Sequence, residues 1–516
     1  MNAAVKDIVI AGGGTAGWLV AGVLAADHGE TLRITVVESP DVATIGVGEG
    51  TWPTLRDTLR RIGIAETTLF RECDASFKQG SRFDGWRDGG ADDCYYHPFM
   101  LPHGYLDADL VGAWLATGAP AGFAETMSAQ ARLCAHGRAP KQAATPEYAA
   151  VANYAYHLDA AKLGTLLREH CTRRLGVRHI VDHITAIEPS DDGDIAALAL
   201  REHGRLAGDL FVDCTGQRAL LLAGHYAVPF VARRDVLFND RALALQVPYL
   251  DERAEVASQT ISTAQPNGWI WDIGLPTRRG VGHVYSSAHT SDAEAERELV
   301  RYVAATGGPA DMSGARQVRF EPGYRATFWQ RNCVAIGLSA GFIEPLEASA
   351  IVMIELSAAW LSEDWPGTRA DMDIVARRFN EAFTYRWERV IEFLKLHYVL
   401  SARHRSTPDA SAYWRDHADP ATIPPRLAEL LRLWRRRAPS QRDFARAEEI
   451  FPSASWQYIL YGMRFRPDAV AARPGALAAA RAYFAENERT TRKLLDGLPG
   501  NRALIDHIRQ RGLPAI

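Results

Sequence analysis

Gly12-Gly13-Gly14-Thr15-Ala16-Gly17 satisfies G-x-G-x-x-G, directly after an apolar, β-branched run and directly before an Ala/Leu/Val-rich segment. In that setting Gly12 permits the tight turn, Gly14 lets the main chain approach a pyrophosphate, and Gly17 lets a helix lie close to the strand. The amides that begin the helix at Thr15 and Ala16 then face phosphate with the positive end of the dipole. Glu38 ends the next strand 21 residues after Gly17, where a carboxylate accepts both ribose hydroxyls. Two later segments, Phe211-Val212-Asp213-Cys214-Thr215-Gly216 and Ala335-Ile336-Gly337-Leu338-Ser339-Ala340-Gly341, each put a small-residue turn after an apolar strand, letting main chain run beside an extended cofactor. A cofactor touched by three distant segments is long, which favours FAD over NAD. No second G-x-G-x-x-G follows a strand, so a dedicated NAD(P)H site is not visible and the electrons are expected from outside.

Other chemistry-bearing residues are ambiguous by type alone. Lys78, in Ala75-Ser76-Phe77-Lys78-Gln79-Gly80, has the ordinary reading of a solvated charge. Glu347, just before the helical run that starts near Ser349, suits a helix first turn favoured by the dipole. Trp269 and Trp271 flank Ile270 at strand spacing, so both indoles share one face, as core aromatics would. His97, within Tyr95-Tyr96-His97-Pro98-Phe99, reads as a satisfied histidine in an aromatic cluster.

The elements that must position these residues are legible in outline. Asp7–Ala11 is a buried strand, Thr15 to about Asp27 a helix, and Leu32–Glu38 the next strand, completing a βαβ unit. A helix pattern returns from about Leu163 to Arg174, strands at Gly208–Cys214 and Cys333–Gly337, and helix from about Ser349. From Met372 onward the chain is mostly amphipathic helix, and Ala476–Arg492 reads as an ordinary solvated helix. With 516 residues the length admits about three domains at roughly 150 residues each, or one large α/β enzyme. Hydrophobic residues at 47% and charged residues at 23% are globular values that exclude disorder and fibrous classes. The net charge of -4, from 58 Lys+Arg against 62 Asp+Glu, leaves no footprint for nucleic acid or an anionic membrane. The six cysteines are scattered without a C-x-x-C pair, which argues against a zinc site or disulfide framework and suits a reducing compartment. The start leaves no room for a signal peptide and no apolar run reaches membrane length, so a cytoplasmic location is expected.

Taken in order, the fingerprint, Ile45-Gly46-Val47-Gly48-Glu49-Gly50-Thr51, Phe77-Lys78, Tyr156-His157-Leu158-Asp159, Trp269-Ile270-Trp271, Phe342-Ile343-Glu344-Pro345-Leu346-Glu347 and His397-Tyr398 make the sequence resemble the flavin-dependent tryptophan halogenases over essentially the whole chain. The resemblance implies that Lys78 receives hypohalous acid, as a hydrogen-bonding ammonium or a chloramine-forming amine. It implies that Glu347, ranked above Glu344 on motif position, orients the halogen and accepts the ring proton. It assigns halide to the main-chain amides of Ser349 and Ala350, which replace a Thr-Gly pair. Trp269 and Trp271 become a wall keeping organic substrate from the flavin, with Gly274 standing where the family has proline. His97, Phe99 and Trp456 match aromatic walls around an indole. The cofactor set carried over is Gly12, Gly14, Thr15, Ala16, Gly17, Glu38, Glu49, Asp213, Gly337 and Ile351.

The expected fold is α/β: a doubly wound FAD-binding module of Rossmann-like, flavin monooxygenase type from residues 1–90, 155–228 and 320–370. A mixed-sheet substrate region (91–154 and 229–319) and a helical C-terminal part (371–516) covering the active site complete it. The expected activity is halogenation of an arene by electrophilic substitution, using FAD as FADH2, O2 and chloride or bromide, with a separate NAD(P)H-dependent flavin reductase as partner; oligomeric state stays open. Tryptophan-specific members hold the substrate's amino and carboxylate groups with a Tyr pair and a Glu before the third aromatic wall. Here no Tyr lies between Tyr413 and Tyr458, and Phe451 stands where that Glu is expected. A buried zwitterion without partners is costly, so an indole-like or related electron-rich arene is expected instead of free tryptophan. The alternatives are a flavin-dependent aromatic hydroxylase and a non-catalytic FAD-binding sensor.

Overall fold

A computed structural model describes residues 4–42, 48–118, 122–309, 311–406, 411–468 and 476–515. Ile45-Gly46-Val47 of the second motif lie outside the described residues. The chain forms two compact units, the first from Met1–Ala75, Leu158–Arg233 and Glu321–Trp387, the second from Ser76–His157, Arg234–Phe320 and Glu388–Ile516.

The first unit is built on a six-stranded sheet in the order Trp329–Gln330, Cys333–Ala335, Leu210–Asp213, Asp7–Ala11, Arg33–Glu38, Arg178–Val181. All pairings are parallel except the edge strand Trp329–Gln330. Ile8 through Ala11 are buried on both faces, which is why that strand reads as an unbroken apolar run. Helix Thr15–His28 packs between helices Ala160–Arg174 and Ser349–Glu363. It is buried nearly all round, Trp18, Leu19, Val20 and Leu24 being fully enclosed, so its composition is apolar rather than amphipathic.

The second unit carries a seven-stranded sheet ordered Arg316–Arg319, Arg241–Pro248, Arg278–Tyr285, Gly268–Gly274, Thr260–Gln265, Gly80–Asp84, Cys94–Pro98. Leu243, Leu245, Val247, Ile270 and Val281 face helix Asp292–Ala305 and form a core with its Leu299 and Val303. The register puts Trp269, Trp271, Phe83, Tyr95 and His97 on the opposite face, since paired residues and residues two apart share a side. Towards the C-terminus, helix Ala476–Gly497 packs on Ala129–Ala135. The boundaries depart from the sequence expectation most at two places. The first unit stops at Ala75 instead of residue 90, because Gly80–Asp84 pairs with Thr260–Gln265 and belongs to the second sheet. Helix Arg369–Val399 gives its residues up to Trp387 to the first unit. Among the described residues no helix is long and apolar enough to cross a membrane.

Candidate active site

In the first unit the glycines do different jobs. Gly12 has φ 112, and a Cβ there would lie 2.2 Å from the carbonyl oxygen of Cys214. A Cβ on Gly17 would lie 2.0 Å from the carbonyl oxygen of Gly12, so helix and strand close only without side chains. Gly13, to which sequence reasoning gave no role, makes room for Glu38, whose side chain would meet its Cβ at 2.5 Å. Gly14 opens on free space, with nothing within 4 Å of a Cβ position, ahead of the start of helix Thr15–His28. A Cβ on Gly337, at φ 77, would lie 2.8 Å from the Cβ of Ala16, so a distant turn packs close against the fingerprint. Glu38 accepts a hydrogen bond from Nε2 of His179 at 2.9 Å. Open space at Gly14, two converging turns and a carboxylate at the strand end fit a long dinucleotide.

Asp213 behaves differently from a ligand-facing acid. Its buried carboxylate accepts from Thr215 N and Oγ1 (3.0 and 2.6 Å) and from the amides of Leu221 and Leu222 (both 2.9 Å). It builds the loop after its strand, and any contribution to a cofactor comes through the loop's shape. Glu49 is half-buried in Glu49–Gly50, and Ile351 is buried in the first turn of Ser349–Glu363.

Glu347 and Ala348 both have left-handed backbone, at φ 64, ψ 5 and φ 54, ψ 47. For non-glycine residues this costs about 1–2 kcal/mol each and persists only where the surroundings impose it. One such restraint is the Trp52 indole N–H, which donates to the carbonyl of Glu347 at 2.8 Å. Glu347 and Glu344 are both buried, Ser349 is buried and Ala350 exposed. Ala348 caps the helix without a side-chain hydrogen bond, so the cap residue itself supplies no acceptor to the amides that begin at Ser349.

Further along that helix, the buried Glu355 carboxyl takes hydrogen bonds from Thr58 Oγ1 at 2.7 Å and Thr54 Oγ1 at 3.2 Å. Burial pushes it up to about 8 from an ordinary 4.5. The folded chain then binds more protons than the unfolded one, so this contribution to stability is full below pH 4.5 and is lost as pH rises through about 8. Glu355→Gln is expected to raise stability at about pH 8 by roughly 1–3 kcal/mol, after allowing for one weakened hydrogen bond, and to give no gain below about pH 4.5. Denaturant titrations at the two pH values check this; an equal shift at both would refute the assignment.

In the second unit Lys78 ends strand Ser76–Lys78, paired in register with Ala155 while Ser76 pairs with His157. The surface reading of Lys78 fails: it is 1% exposed, with its ammonium 5.5 Å above the ring of Phe99. Ser76 Oγ donates to the carbonyl of Gly274 at 2.5 Å. A Cβ on Gly274 would already touch Val256 and the Ala257 amide at 3.1 Å, so this turn is tight without the family's proline. His97 is buried with its ring 5.6 Å from Phe393; Phe393 stacks on Phe451 at 3.7 Å and meets Trp456 edge-on at 5.0 Å. The structure thus joins Lys78 to Phe99 directly, and links His97 to Trp456 through Phe393 and Phe451. The Trp456 N–H donates to the carbonyl of Phe451 at 3.2 Å. Trp269 and Trp271 stand 6.4 Å apart on the aromatic face, and Gly282 lets the indole of Trp271 lie flat over the next strand, where a Cβ would come within 2.1 Å.

Parallel sheet, glycine turn and acid-tipped second strand define a dinucleotide-binding α/β enzyme, with a buried lysine in an aromatic second unit. The chain belongs to the tryptophan halogenase family, whose profile it matches over residues 7–479. A tryptophan 6-halogenase of Streptomyces toxytricini is 35% identical to it over 530 residues, 98% of each chain. The crystal structure of a tryptophan halogenase from Shewanella frigidimarina NCIMB 400 matches with TM-score 0.95 at 49% identity, over 99% of each chain. A flavin-dependent halogenase from Brevundimonas sp. BAL3 matches with TM-score 0.85 at 32% identity, over 98% of this chain and 99% of that one. The protein is a flavin-dependent halogenase, and the hydroxylase and sensor alternatives give way to that class.

Proposed function

We propose that the protein halogenates an indole-like or other electron-rich arene, with hypohalous acid captured at Lys78. The observation that carries this reading is a lysine enclosed to 1% exposure with its ammonium over Phe99. FAD, held by Gly12, Gly14, Thr15, Ala16, Gly17, Glu38, Glu49, Gly337, Ile351 and the loop built on Asp213, supplies in its reduced form, with O2, the oxidising power that turns chloride or bromide into hypohalous acid. The amides of Ser349 and Ala350 hold the halide, helix-start donors binding anions whatever the side chain. Trp269 and Trp271 wall the organic substrate away from the flavin. At Lys78 the ammonium hydrogen-bonds the oxygen of the acid and polarises its bond to halogen. The ring attacks the halogen, the oxygen–halogen bond breaks, and the departing hydroxide takes a proton from Lys78 to leave water. The Glu347 carboxylate accepts the ring proton.

His97, Phe99 and Trp456 belong to the aromatic walls for the ring. Phe451, stacked on Phe393, puts an apolar surface where a zwitterion would need a carboxylate, and a zwitterion buried there would be costly. That favours an indole-like arene over free tryptophan, although relatives are named for tryptophan. Reducing equivalents come from a separate NAD(P)H-dependent flavin reductase, and the six unpaired thiols suit the reducing cytoplasm. Incubating the protein with FAD, a reductase, NADH, bromide and a panel including indole and tryptophan is expected to yield product with the bromine isotope doublet, indole ahead of tryptophan. Oxygenated indole without bromine would overturn the reading.

A further inference from the structure

His157 pairs with Ser76 across the strand that ends in Lys78, and paired residues and residues two apart share a face, so His157 and Lys78 project to the same side. The imidazole is 0% exposed. Its Nε2 lies 2.8 Å from Thr260 Oγ1, whereas Nδ1 is buried without a hydrogen-bond partner. Burial, and next the charge of Lys78, hold the ring neutral, well below the ordinary 6.5. A neutral imidazole offers one donor and one acceptor nitrogen. Thr260 engages one of them, so Nδ1 is left with a single fixed role in a site where buried polar atoms are normally paired. A buried, unpartnered nitrogen on the side to which Lys78 projects calls for a small hydrogen-bonding ligand.

We propose that His157 is a binding residue for hypohalous acid, its Nδ1 hydrogen-bonding the hydroxyl group of the acid captured at Lys78. The inference rests on the reading of Lys78 given above. Hypohalous acid both donates through O–H and accepts at oxygen, so it satisfies Nδ1 in either tautomer; a halide ion satisfies only Nδ1–H, and an arene C–H neither. Gripped at its oxygen by Lys78 and His157, the acid presents its halogen to the ring. When the oxygen–halogen bond breaks, His157 keeps its contact to the leaving hydroxide while Lys78 supplies the proton that makes water.

An asparagine amide reaches about as far as Nδ1, and a glutamine amide about as far as Nε2. His157→Gln should therefore keep the Thr260 contact and lose the ligand contact, and His157→Asn the reverse. For His157→Gln we expect arene halogenation to fall about tenfold, the weight of one hydrogen bond to the reacting group. The oxidant should escape instead, read as N-halotaurine formed from added taurine, with FAD binding and melting temperature unchanged. His157→Asn should stay within about threefold of wild type and retain coupling. Wild-type coupling in His157→Gln, or equal losses in both folded variants, would overturn the inference. If the glutamine variant does not fold, the asparagine variant decides: retained coupling supports the contact and lost coupling with an intact fold refutes it. Full activity in Lys78→Ala would instead bring down the capture reading itself, which separates the two failures.

Discussion

Lys78→Ala is expected to lower arene halogenation by at least ~10³-fold while leaving FAD binding intact, because it removes the group that captures and polarises the oxidant. The glycine turn and the strand ending in Glu38 belong to the first unit, and Lys78 to the second, where its backbone is held in register with Ala155. Truncation therefore removes the ammonium and leaves every residue assigned to the dinucleotide cradle unchanged. Lys78→Met, which fills the same space without charge, should be equally inactive, showing that the loss comes from chemistry and not from a cavity over Phe99. Both variants should still consume O2 and release oxidant to a scavenger. The ratio of halogenated arene to O2 consumed measures this, and an unchanged ratio in either would remove Lys78 from the mechanism.

Glu347→Gln is expected to reduce kcat by about 10²-fold, the lower range for loss of a general base. The swap is nearly isosteric, and Trp52 binds the backbone carbonyl rather than the carboxylate, so the left-handed turn at Glu347 and Ala348 should survive. With the base weakened, removal of the ring proton becomes slow. Arene deuterated at the substituted position should then show a primary isotope effect that wild type lacks. A variant with wild-type kcat and no isotope effect would assign the ring proton to another acceptor, with the neighbouring buried Glu344 the first to test.

Much of this site was legible because its signals are local. A β-branched run, glycines at fixed offsets and an apolar helix mark Asp7–His28 without long-range information, since turn sterics and helix dipole act over a few residues. What escaped is non-local or unusual in type. Gly80–Asp84 joined the second sheet through pairing with Thr260–Gln265, far along the chain, which no local pattern announces. Left-handed turns carry a signature when glycine or asparagine makes them; here glutamate and alanine do. Trp52 and His157 stood inside quoted or adjoining motifs, yet their partners, Glu347 and Thr260, are remote in sequence. Asp213 illustrates the converse: the resemblance carried it over as a cofactor-binding residue, and its carboxylate accepts four hydrogen bonds from its own loop.

By itself the chain's order of residues determined the dinucleotide turn and the class of fold, because spacing along one strand or helix translates directly into backbone geometry. Lys78 and Glu347, in contrast, were singled out by the family resemblance and not by spacing. Only the tertiary structure decided that Lys78 is enclosed, that Glu347 is held in a strained turn and that His157 keeps one nitrogen unspent. Burial, strain and hydrogen-bond satisfaction are sums over neighbours brought from distant segments, and those sums exist only once the chain has folded.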